Sequence, residues 1–447
     1  MKEISYPPKT IKALSLSERI QISKLIISNG DIGLAWLEKI RKFISFHNRN
    51  LKNISRKRFG KDSSVHLIWM KDIINNKIFR SNEYLIDVGF LNAALIVADA
   101  CPINLVEKNR LDSILQNHQD NLINTTPTVP KNLSTIQQFE YSFERWKSKT
   151  HKKIPVTIFC PSPYSLFSIT VLIMLLSLNV KVKAIVILKF SSSRIRSELY
   201  RDGLPLFIKR VWRKLILKAD ENNIETDLSL FNLKNSIEPK TSDIRKLAVQ
   251  HDIPYIMVDT FDEFLELEKN AKGDLCIFTG GGLISQRVLN YFSKGIINIH
   301  MGPLPQYKGM DVVEAPILDG AFNNIALTAH IMESDLDAGP LIAEMRFLAD
   351  EYESLSELRN EMGAMMPIIA IESILSVLSD EDNLIKQEPK GQQYYFIHNR
   401  LREIISKVMS SRFNSFKSID RTNRQNQLKS FNILISALRQ IRSINSV

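Results

Sequence analysis

The pattern of apolar and polar residues changes once along the chain, at a polar stretch from Asn121 to Ser134. Before that stretch, apolar residues recur at helical spacing and predict helices over Leu16 to Ser28, Asp31 to Phe46 and Glu83 to Ala100. The stretch itself contains two prolines and no long apolar run, which is typical of a linker. We therefore expect residues 1–135 to form a helical N-terminal domain, and the sequence indicates no role for it.

After the linker, short β-branched runs alternate with longer helical segments. The runs predict strands at Val156–Cys160, Val182–Leu188, Tyr255–Asp259, Leu275–Thr279 and Ile296–His300. Helices are predicted between them, near residues 164–179, 205–220, 241–251, 261–269 and 284–293. Apolar strands separated by helices favour the α/β class, with a Rossmann-like, mostly parallel sheet covered by helices on both faces.

The end of this α/β region follows a different pattern. The runs Ile325–Met332 and Pro340–Leu348 lie too close together for a crossover helix, so we expect them to extend the sheet in another direction. A helix from about Ser354 to Leu378 follows, and the predicted domain covers residues 150–380. Residues 381–447 form a basic C-terminal extension with helical patterns at 397–410 and 427–442 and no set of alternating strands.

Composition adds a charge distribution to this picture. The 447 residues include 44% hydrophobic residues and carry a formal charge of +11, which suits two or three folded domains and excludes disordered, collagen-like and coiled-coil chains. Residues 1–150 carry 23 basic and 14 acidic side chains, residues 401–447 carry 9 and 2, and the remaining residues carry 27 and 32. The chain is therefore a mildly acidic body between two basic ends.

Cysteine usage and the N-terminal residues favour a cytoplasmic location. There are three cysteines and no Cys-x-x-Cys motif, so we expect neither a disulfide framework nor a cysteine-rich zinc site, and the first residues do not resemble a secretory signal. The stretch from Ile154 to Val180 has no charged residue and is long enough to span a bilayer. Its three prolines and short helix-like part indicate a buried strand, turn and helix instead, and we expect no membrane insertion.

Two polar residues stand at the end of a predicted strand. Asn298 and His300 are two positions apart, so their side chains project from the same face, next to a Gly-Pro turn. In a doubly wound sheet, ligands bind beyond the carboxyl ends of the strands. An amide beside an imidazole can stabilise an oxyanion and handle a proton, or it can simply hydrogen-bond the turn.

Two loops add further candidate chemistry. Glu333, Asp335 and Asp337 repel one another, which indicates either a solvated loop or one that faces a cation or imidazolium. A carboxylate against His300 would raise the pKa of that histidine and fix its tautomer. A divalent metal on Asp335, Asp337 and His300 is a weaker alternative, and we expect no metal. The run Thr279-Gly280-Gly281-Gly282 lets a ligand approach the backbone, or is a plain turn.

Together these segments resemble the folate-dependent formyltransferase family, in a catalytic domain like those of methionyl-tRNA and amino-sugar formyltransferases. The family's three motifs are an Asn-x-His strand end, a Leu-Pro-x-Tyr-Arg/Lys-Gly segment and a Leu-Asp-x-Gly loop. Here they read Asn298-Ile299-His300, Leu304-Pro305-Gln306-Tyr307-Lys308-Gly309 and Leu336-Asp337-Ala338-Gly339. The resemblance covers residues 274–345, and the sheet pattern extends it more weakly to residues 150–380.

The resemblance implies transfer of a formyl group from 10-formyltetrahydrofolate to an amine. By resemblance, Asn298 and a protonated His300 stabilise the tetrahedral intermediate, while Asp337 keeps His300 charged and helps to move the proton. The pterin ring is expected between the glycine-rich loop and the acidic loop, in contact with the backbone of Gly282, Leu283 and Ser285 and with Asp335. His330, in the strand before the acidic loop, is interpreted as a packed strand residue.

The acceptor amine is less constrained by the sequence. The first strand is followed by no glycine-rich phosphate loop, which argues against a purine-synthesis role, and Lys308 stands where arginine is common in the family. No β-rich C-terminal domain is visible, so a nucleotide-linked amino sugar is favoured over methionyl-tRNA. A catalytically silent scaffold or binding protein is the alternative of another class, and the oligomeric state is not indicated.

A basic cluster after the second strand keeps the tRNA alternative open. It can bind the phosphates of a nucleotide sugar or of RNA, or form a solvated helix face. Its members are Arg194, Arg196, Arg201, Lys209, Arg210, Arg213, Lys214 and Lys218.

Overall fold

The computed structural model describes residues 14–28, 31–80, 87–101, 103–126, 154–189, 243–267, 274–280, 284–379 and 384–415. Several predicted features lie outside these residues. They are the helix at 205–220, the basic cluster at 194–218, the second C-terminal helix at 427–442, Gly282 and Leu283, and the linker from residue 127 onward.

The N-terminal region is helical in its described parts, as predicted. Its helices are α1 Leu16–Ile27, α2 Asp31–Phe46, α3 Leu51–Phe59, α4 Ser63–Arg80, α5 Val88–Ala100 and α6 Leu105–Asn124. Capping boxes start α1 at Ser15 and Glu18 and α6 at Asn104 and Glu107. Helices α1 to α5 share an apolar core, whereas the buried leucines of α6 pack into the core of the sheet domain. Helix α6 runs into the first four residues of the stretch predicted as a linker.

Three of these helices, α3, α4 and α6, were not predicted. Helix α6 buries only a narrow stripe, formed by Leu111, Leu115, His118 and Leu122. Such a stripe has the correct helical spacing, but it is diluted by the polar residues on the remaining faces. The capping box at Asn104 was the clearer signal for this helix.

The second part of the chain is the predicted α/β fold. Its seven-stranded sheet contains β1 Val156–Cys160, β2 Val182–Leu188, β3 Tyr255–Val258, β4 Leu275–Phe278, β5 Ile296–His300, β7 Ile325–Ile331 and β8 Leu341–Phe347. The strand order is β3-β2-β1-β4-β5-β7-β8. The first five strands are parallel, whereas β7 and β8 are antiparallel to their neighbours, which confirms the predicted change of direction.

Helices cover this sheet. They are α7 Leu166–Ser177, α8 Ile244–Gln250, α9 Phe261–Leu267, α10 Gln286–Leu289, α11 Glu314–Leu318 and α12 Leu355–Leu378. The uncharged stretch forms β1 and α7, both largely buried, so its interpretation as a buried strand, turn and helix is confirmed. Helix α12 is long and apolar enough to cross a membrane, and 78% of its most apolar window is buried within the fold.

The C-terminal segment joins the two parts. It contains β9 Gln392–Tyr394, which pairs with β6 Tyr307–Gly309, and α13 Asn399–Ser415. The side-chain amides of Asn48 and Asn92 donate to the carbonyl of Phe396 over 3.2 and 3.1 Å, and Arg41 Nη2 donates to the carbonyl of Gln393 over 2.9 Å. The N-terminal helices therefore hydrogen-bond to this segment, and α5 and α6 also bury apolar side chains in the core of the sheet domain.

Arg412 of α13 is buried in this junction as deeply as Arg41, with 1% of its surface exposed. Its guanidinium pairs with both carboxylate oxygens of Asp350, at 2.6 and 2.8 Å, and lies 3.6 Å above the ring of Phe322. It also donates to the carbonyls of Leu122 and Thr125 at the end of α6. One side chain thus stabilises the contact between α6, α13 and the segment after β8.

We expect Arg412→Leu to destabilise the protein by about 3–5 kcal/mol, because it leaves the carboxylate of Asp350 buried without a partner. The measurement is urea unfolding followed by circular dichroism. The matched control is Arg287→Leu, which removes an exposed pair with Glu266 at 3.8 Å and is expected to cost about 0–1 kcal/mol. Equal destabilisation in the two variants would contradict this role of Arg412.

Candidate active site

Strand β5 brings the two predicted polar residues to the carboxyl end of the sheet. The register with antiparallel β7 places Asn298 opposite His330 and His300 opposite Thr328. The side-chain nitrogen of Asn298 lies 3.1 Å from Nε2 of His330. His300 Nδ1 lies 3.6 Å from Oδ2 of Asp337. The structure therefore brings Asn298, His300 and Asp337 into one cluster, with His330 as its fourth member.

Asp337 is the centre of this cluster. Its carboxylate is 3.6 Å from a ring nitrogen of both His300 and His330, and it accepts the backbone N–H of Gly309 over 2.9 Å. Asp337 is 9% exposed and has a φ of 51°, in the left-handed region. At its end the loop passes very close to strand β7. A Cβ on Gly339 would lie 1.8 Å from the carbonyl oxygen of Ile331.

The charges in the cluster are set by burial and by these close contacts. Burial alone would raise the pKa of Asp337, but His330, His300 and the N–H of Gly309 together lower the pKa below its usual value. Burial also lowers the pKa of His300, and this effect outweighs the opposite contribution of Asp337. An ionised carboxylate thus faces an imidazole that is neutral at neutral pH.

This result corrects the expectation that His300 is held in its charged form. The contribution of Asp337 has the expected sign, since it raises the pKa of His300. The sequence could not show that His300 would be 6% exposed, and removal of the ring from water penalises its charged form.

The hydrogen bonds assign the tautomer of each histidine. His300 Nε2 lies 2.8 Å from the carbonyl oxygen of Tyr307, so Nε2 carries the hydrogen and the lone pair of Nδ1 faces Asp337. In His330, Nδ1 lies 3.0 Å from the carbonyl of Ile331, so Nε2 is the acceptor for the amide of Asn298. That contact uses one N–H of Asn298, and the amide has a second.

His330 was interpreted from the sequence as a packed strand residue. It is packed, with 1% of its surface exposed, but it also contacts two of the predicted catalytic side chains. The missing information was that β7 pairs with β5 in the antiparallel register, which apolar periodicity does not reveal. The spacing of His330 and Asp337 across a short loop was the only signal in the sequence.

The residues expected at the pterin are less closely associated with the cluster. Ser285 begins α10 as its N-cap, and its hydroxyl donates to Asp262 over 2.5 Å. Asp335 is exposed, while Asp337 of the same loop is buried. In the part of the chain that the structure describes, no group of three or more metal-binding side chains could hold a metal ion.

The segment that follows the Leu-Pro-x-Tyr-Lys-Gly motif is anchored by buried charges. Glu314 has no exposed surface and pairs with Arg359 and with Arg402, the latter at 3.1 Å. Asp311 accepts from Arg402 over 2.6 Å and from the backbone N–H of Ile397 over 3.0 Å. Helices α12 and α13 therefore fix the backbone just beyond the motif.

The cluster lies in the part of the chain that resembles known proteins. Residues 259–374, which contain the whole cluster, match the family model described as Formyl transferase. This match confirms the resemblance of this part of the chain to the folate-dependent formyltransferase family. The family segment includes β4, β5, β7, β8 and most of α12.

The curated relatives with similar sequences are named methionyl-tRNA formyltransferases. The protein of Thermotoga maritima is 23% identical over 34% of this chain and 49% of its own length. That of Azobacteroides pseudotrichonymphae is 28% identical over 35% of this chain and 51% of its own length. The chain spans about half the length of these two relatives.

Solved structures show a weaker likeness. A sugar 3N-formyl transferase in the presence of dTDP and 5-N-formyl-THF is 14% identical over 59% of this chain and 80% of its own length, with a TM-score of 0.36. The phosphoribosylglycinamide formyltransferase of Bacillus halodurans is 17% identical over 52% of this chain and 100% of its own length, with a TM-score of 0.34. At such TM-scores, neither structure supports an inference about this chain.

We expect Asp337→Asn to lower the pKa of His300 further, because the substitution removes the negative charge that raises it. The measurement is an NMR titration of labelled histidine, with the His300 signal assigned by its loss in His300→Gln. Asp335→Asn, an exposed position in the same loop, is the matched control and should leave the signal unchanged. An unchanged or higher pKa in Asp337→Asn would show that the carboxylate does not act on His300.

Proposed function

We propose that the chain transfers a formyl group from 10-formyltetrahydrofolate to a primary amine, and that the amine belongs to a nucleotide-linked amino sugar. The observation that carries the proposal is the cluster of Asn298, His300 and Asp337 within the segment that matches the formyl transferase family. A cytoplasmic location, expected from the cysteine usage, is part of the same proposal.

The folate supplies the formyl group, and the residues of the cluster handle the charge and the proton. When the amine nitrogen bonds to the formyl carbon, the formyl oxygen becomes negative. The second N–H of Asn298 is the donor for that oxygen. A preorganised donor of this kind typically contributes about 10²–10³ in rate.

His300 is the group that moves the proton. Because its Nε2 hydrogen is committed to the carbonyl of Tyr307, Nδ1 has the lone pair that accepts the proton of the attacking amine, and a water beside Asp337 relays that proton. The resulting imidazolium faces the Asp337 carboxylate at 3.6 Å, which stabilises it. His300 then returns the proton to the departing folate nitrogen as the old carbon–nitrogen bond breaks, leaving a formamide and tetrahydrofolate.

Two features support a small acceptor. The described C-terminal residues 384–415 form the short strand β9 and the helix α13 instead of a set of alternating strands. Strand β9 pairs with β6, so this segment is used to support the motif strand.

The similar curated relatives are named methionyl-tRNA formyltransferases, which makes methionyl-tRNA the second candidate acceptor.

The acceptor is tested by incubating the protein with 10-formyltetrahydrofolate and either a panel of nucleotide-linked amino sugars or methionyl-tRNA, with products detected by mass spectrometry. We expect a mass increase of one formyl group on an amino sugar. Formylation of methionyl-tRNA alone would overturn the proposed amino-sugar acceptor but would agree with the proposed formyl transfer. No product from either would overturn the proposed activity and favour a catalytically silent binding protein.

We expect His300→Ala to abolish formyl transfer and Asn298→Ala to reduce it by about 10²–10³. His251→Ala, at an exposed position outside the cluster, is the control and should retain full activity. Circular dichroism checks that each variant is folded. Wild-type activity in His300→Ala would be incompatible with the proposed mechanism.

A further inference from the structure

A segment outside the matched family region contacts the acidic loop and the Leu-Pro-x-Tyr-Lys-Gly segment. Residues 384–394, which we call the C-terminal strap, follow α12 in the sequence and run past the acidic loop to β6. Ile385 and Leu341 exchange two backbone hydrogen bonds, of 2.8 and 2.9 Å. Farther along, the N–H of Gln392 donates to the carbonyl of Gln306 over 2.8 Å. The strap is thus fixed at both ends against the loops that carry the motifs.

Gln387 lies between these two anchor points and contacts the acidic loop directly. Its side-chain nitrogen donates to the carbonyl oxygen of Asp337 over 3.1 Å and to that of Gly339 over 2.5 Å. Both partners are carbonyls and can only accept, so the orientation of the amide is determined. One side chain, about 50 residues away along the chain, therefore holds the backbone on both sides of Ala338.

The acidic loop needs such support because its backbone is unusual. Asp337 adopts a φ of 51°, which lies in the left-handed region that residues other than glycine rarely occupy. Strained conformations of this kind persist only where the surrounding structure holds them. The carboxylate accepts from Gly309, and the carbonyl of the same residue accepts from Gln387, so Asp337 is fixed at both its side chain and its backbone.

The side-chain oxygen of Gln387 adds a second observation. It is buried and has no hydrogen-bond partner among the described residues. A leucine of similar size would avoid that unpaired oxygen, so packing alone does not account for glutamine here. The two N–H groups that reach the loop are what a leucine would lack.

We propose that Gln387 is a positioning residue that holds Asp337 against His300, an inference about the reaction that rests on the proposed function. No hydrogen bond among the described residues joins it to His300 or Asn298, and it acts through the backbone of the acidic loop. The position of Asp337 relative to His300 then depends on the strap as well as on the segment that matches the family.

The first test is Gln387→Leu, which keeps the approximate size and removes both donors. We expect kcat for formyl transfer to fall about 10- to 100-fold with KM little changed, because a small misplacement of a catalytic group costs up to about 10² in rate. The NMR pKa of His300 should fall as well, since Asp337 moves away from it. Gln116→Leu, an exposed glutamine bonded to Asp120 at 2.9 Å on α6, is the matched control.

The second test uses Gln387→Glu. Its kcat is divided by the kcat of Gln387→Leu at each pH, so that the effect of titrating the cluster itself cancels. An ionised glutamate repels both carbonyls, whereas a protonated one donates a single hydrogen bond. We therefore expect the ratio to rise on acidification. A flat ratio together with an unchanged pKa of His300 in Gln387→Leu would overturn the proposal.

The proposed function and this inference can fail separately. The pKa of His300 is measured without substrate, so it reports on the position of Asp337 even if the wild-type protein transfers no formyl group. An inactive wild type with a shifted pKa in Gln387→Leu would overturn only the function. An active wild type with unchanged kcat and pKa in that variant would overturn only the role of Gln387.

Discussion

The candidate site depends on one buried carboxylate that has three polar neighbours. Asp337 faces His300 and His330 at 3.6 Å each and accepts the N–H of Gly309. Each neighbour comes from a different element, so the carboxylate links β5, β7 and β6. The alignment of these strands determines whether the four groups meet, and the carboxylate in turn compensates the polar groups that the strands bury.

The protonation state of His300 is set by two opposing effects, its burial and the charge of this carboxylate. Burial lowers the pKa of His300, and Asp337 raises it without reversing the direction. A neutral imidazole next to an ionised carboxylate is a better starting point for accepting a proton than an imidazolium would be. In the proposed reaction, the same carboxylate stabilises the charge once the proton has arrived. Burial and charge therefore have complementary effects on one residue, before and after proton transfer.

Much of the fold was readable from the sequence because both faces of the parallel strands are covered. Three strands, Val156–Cys160, Val182–Leu188 and Ile296–His300, have the predicted limits, since their apolar runs end where the burial ends. Asn298 and His300 were found because neighbours two apart share a face. His330 was missed as a cluster member because its location depends on which strands are adjacent, and adjacency is a property of the assembled sheet.

Other residues were harder to predict for physical reasons that differ from one to the next. The low pKa of His300 depends on solvent exclusion by elements distant in sequence. Gln387 carries no motif, and its importance arises from a strained loop that becomes visible only as a positive φ at Asp337. The backbone contact expected of Ser285 stays a prediction, and the sequence did not show that the hydroxyl of this residue would cap a helix. Local sequence specified the chemistry of these side chains but not their partners.

The C-terminal segment has a consequence for how the chain acquires its structure. The hydrogen bond from Arg41 to Gln393 joins residues 352 positions apart, and the bond from Asn92 to Phe396 spans 304. Such contacts close very large loops, and loop closure is slow compared with local helix formation. During synthesis the N-terminal helices emerge before their partners on the C-terminal segment, which are made more than 300 residues later. For most of its time on the ribosome, the nascent chain must therefore keep the docking surface of these helices unpaired.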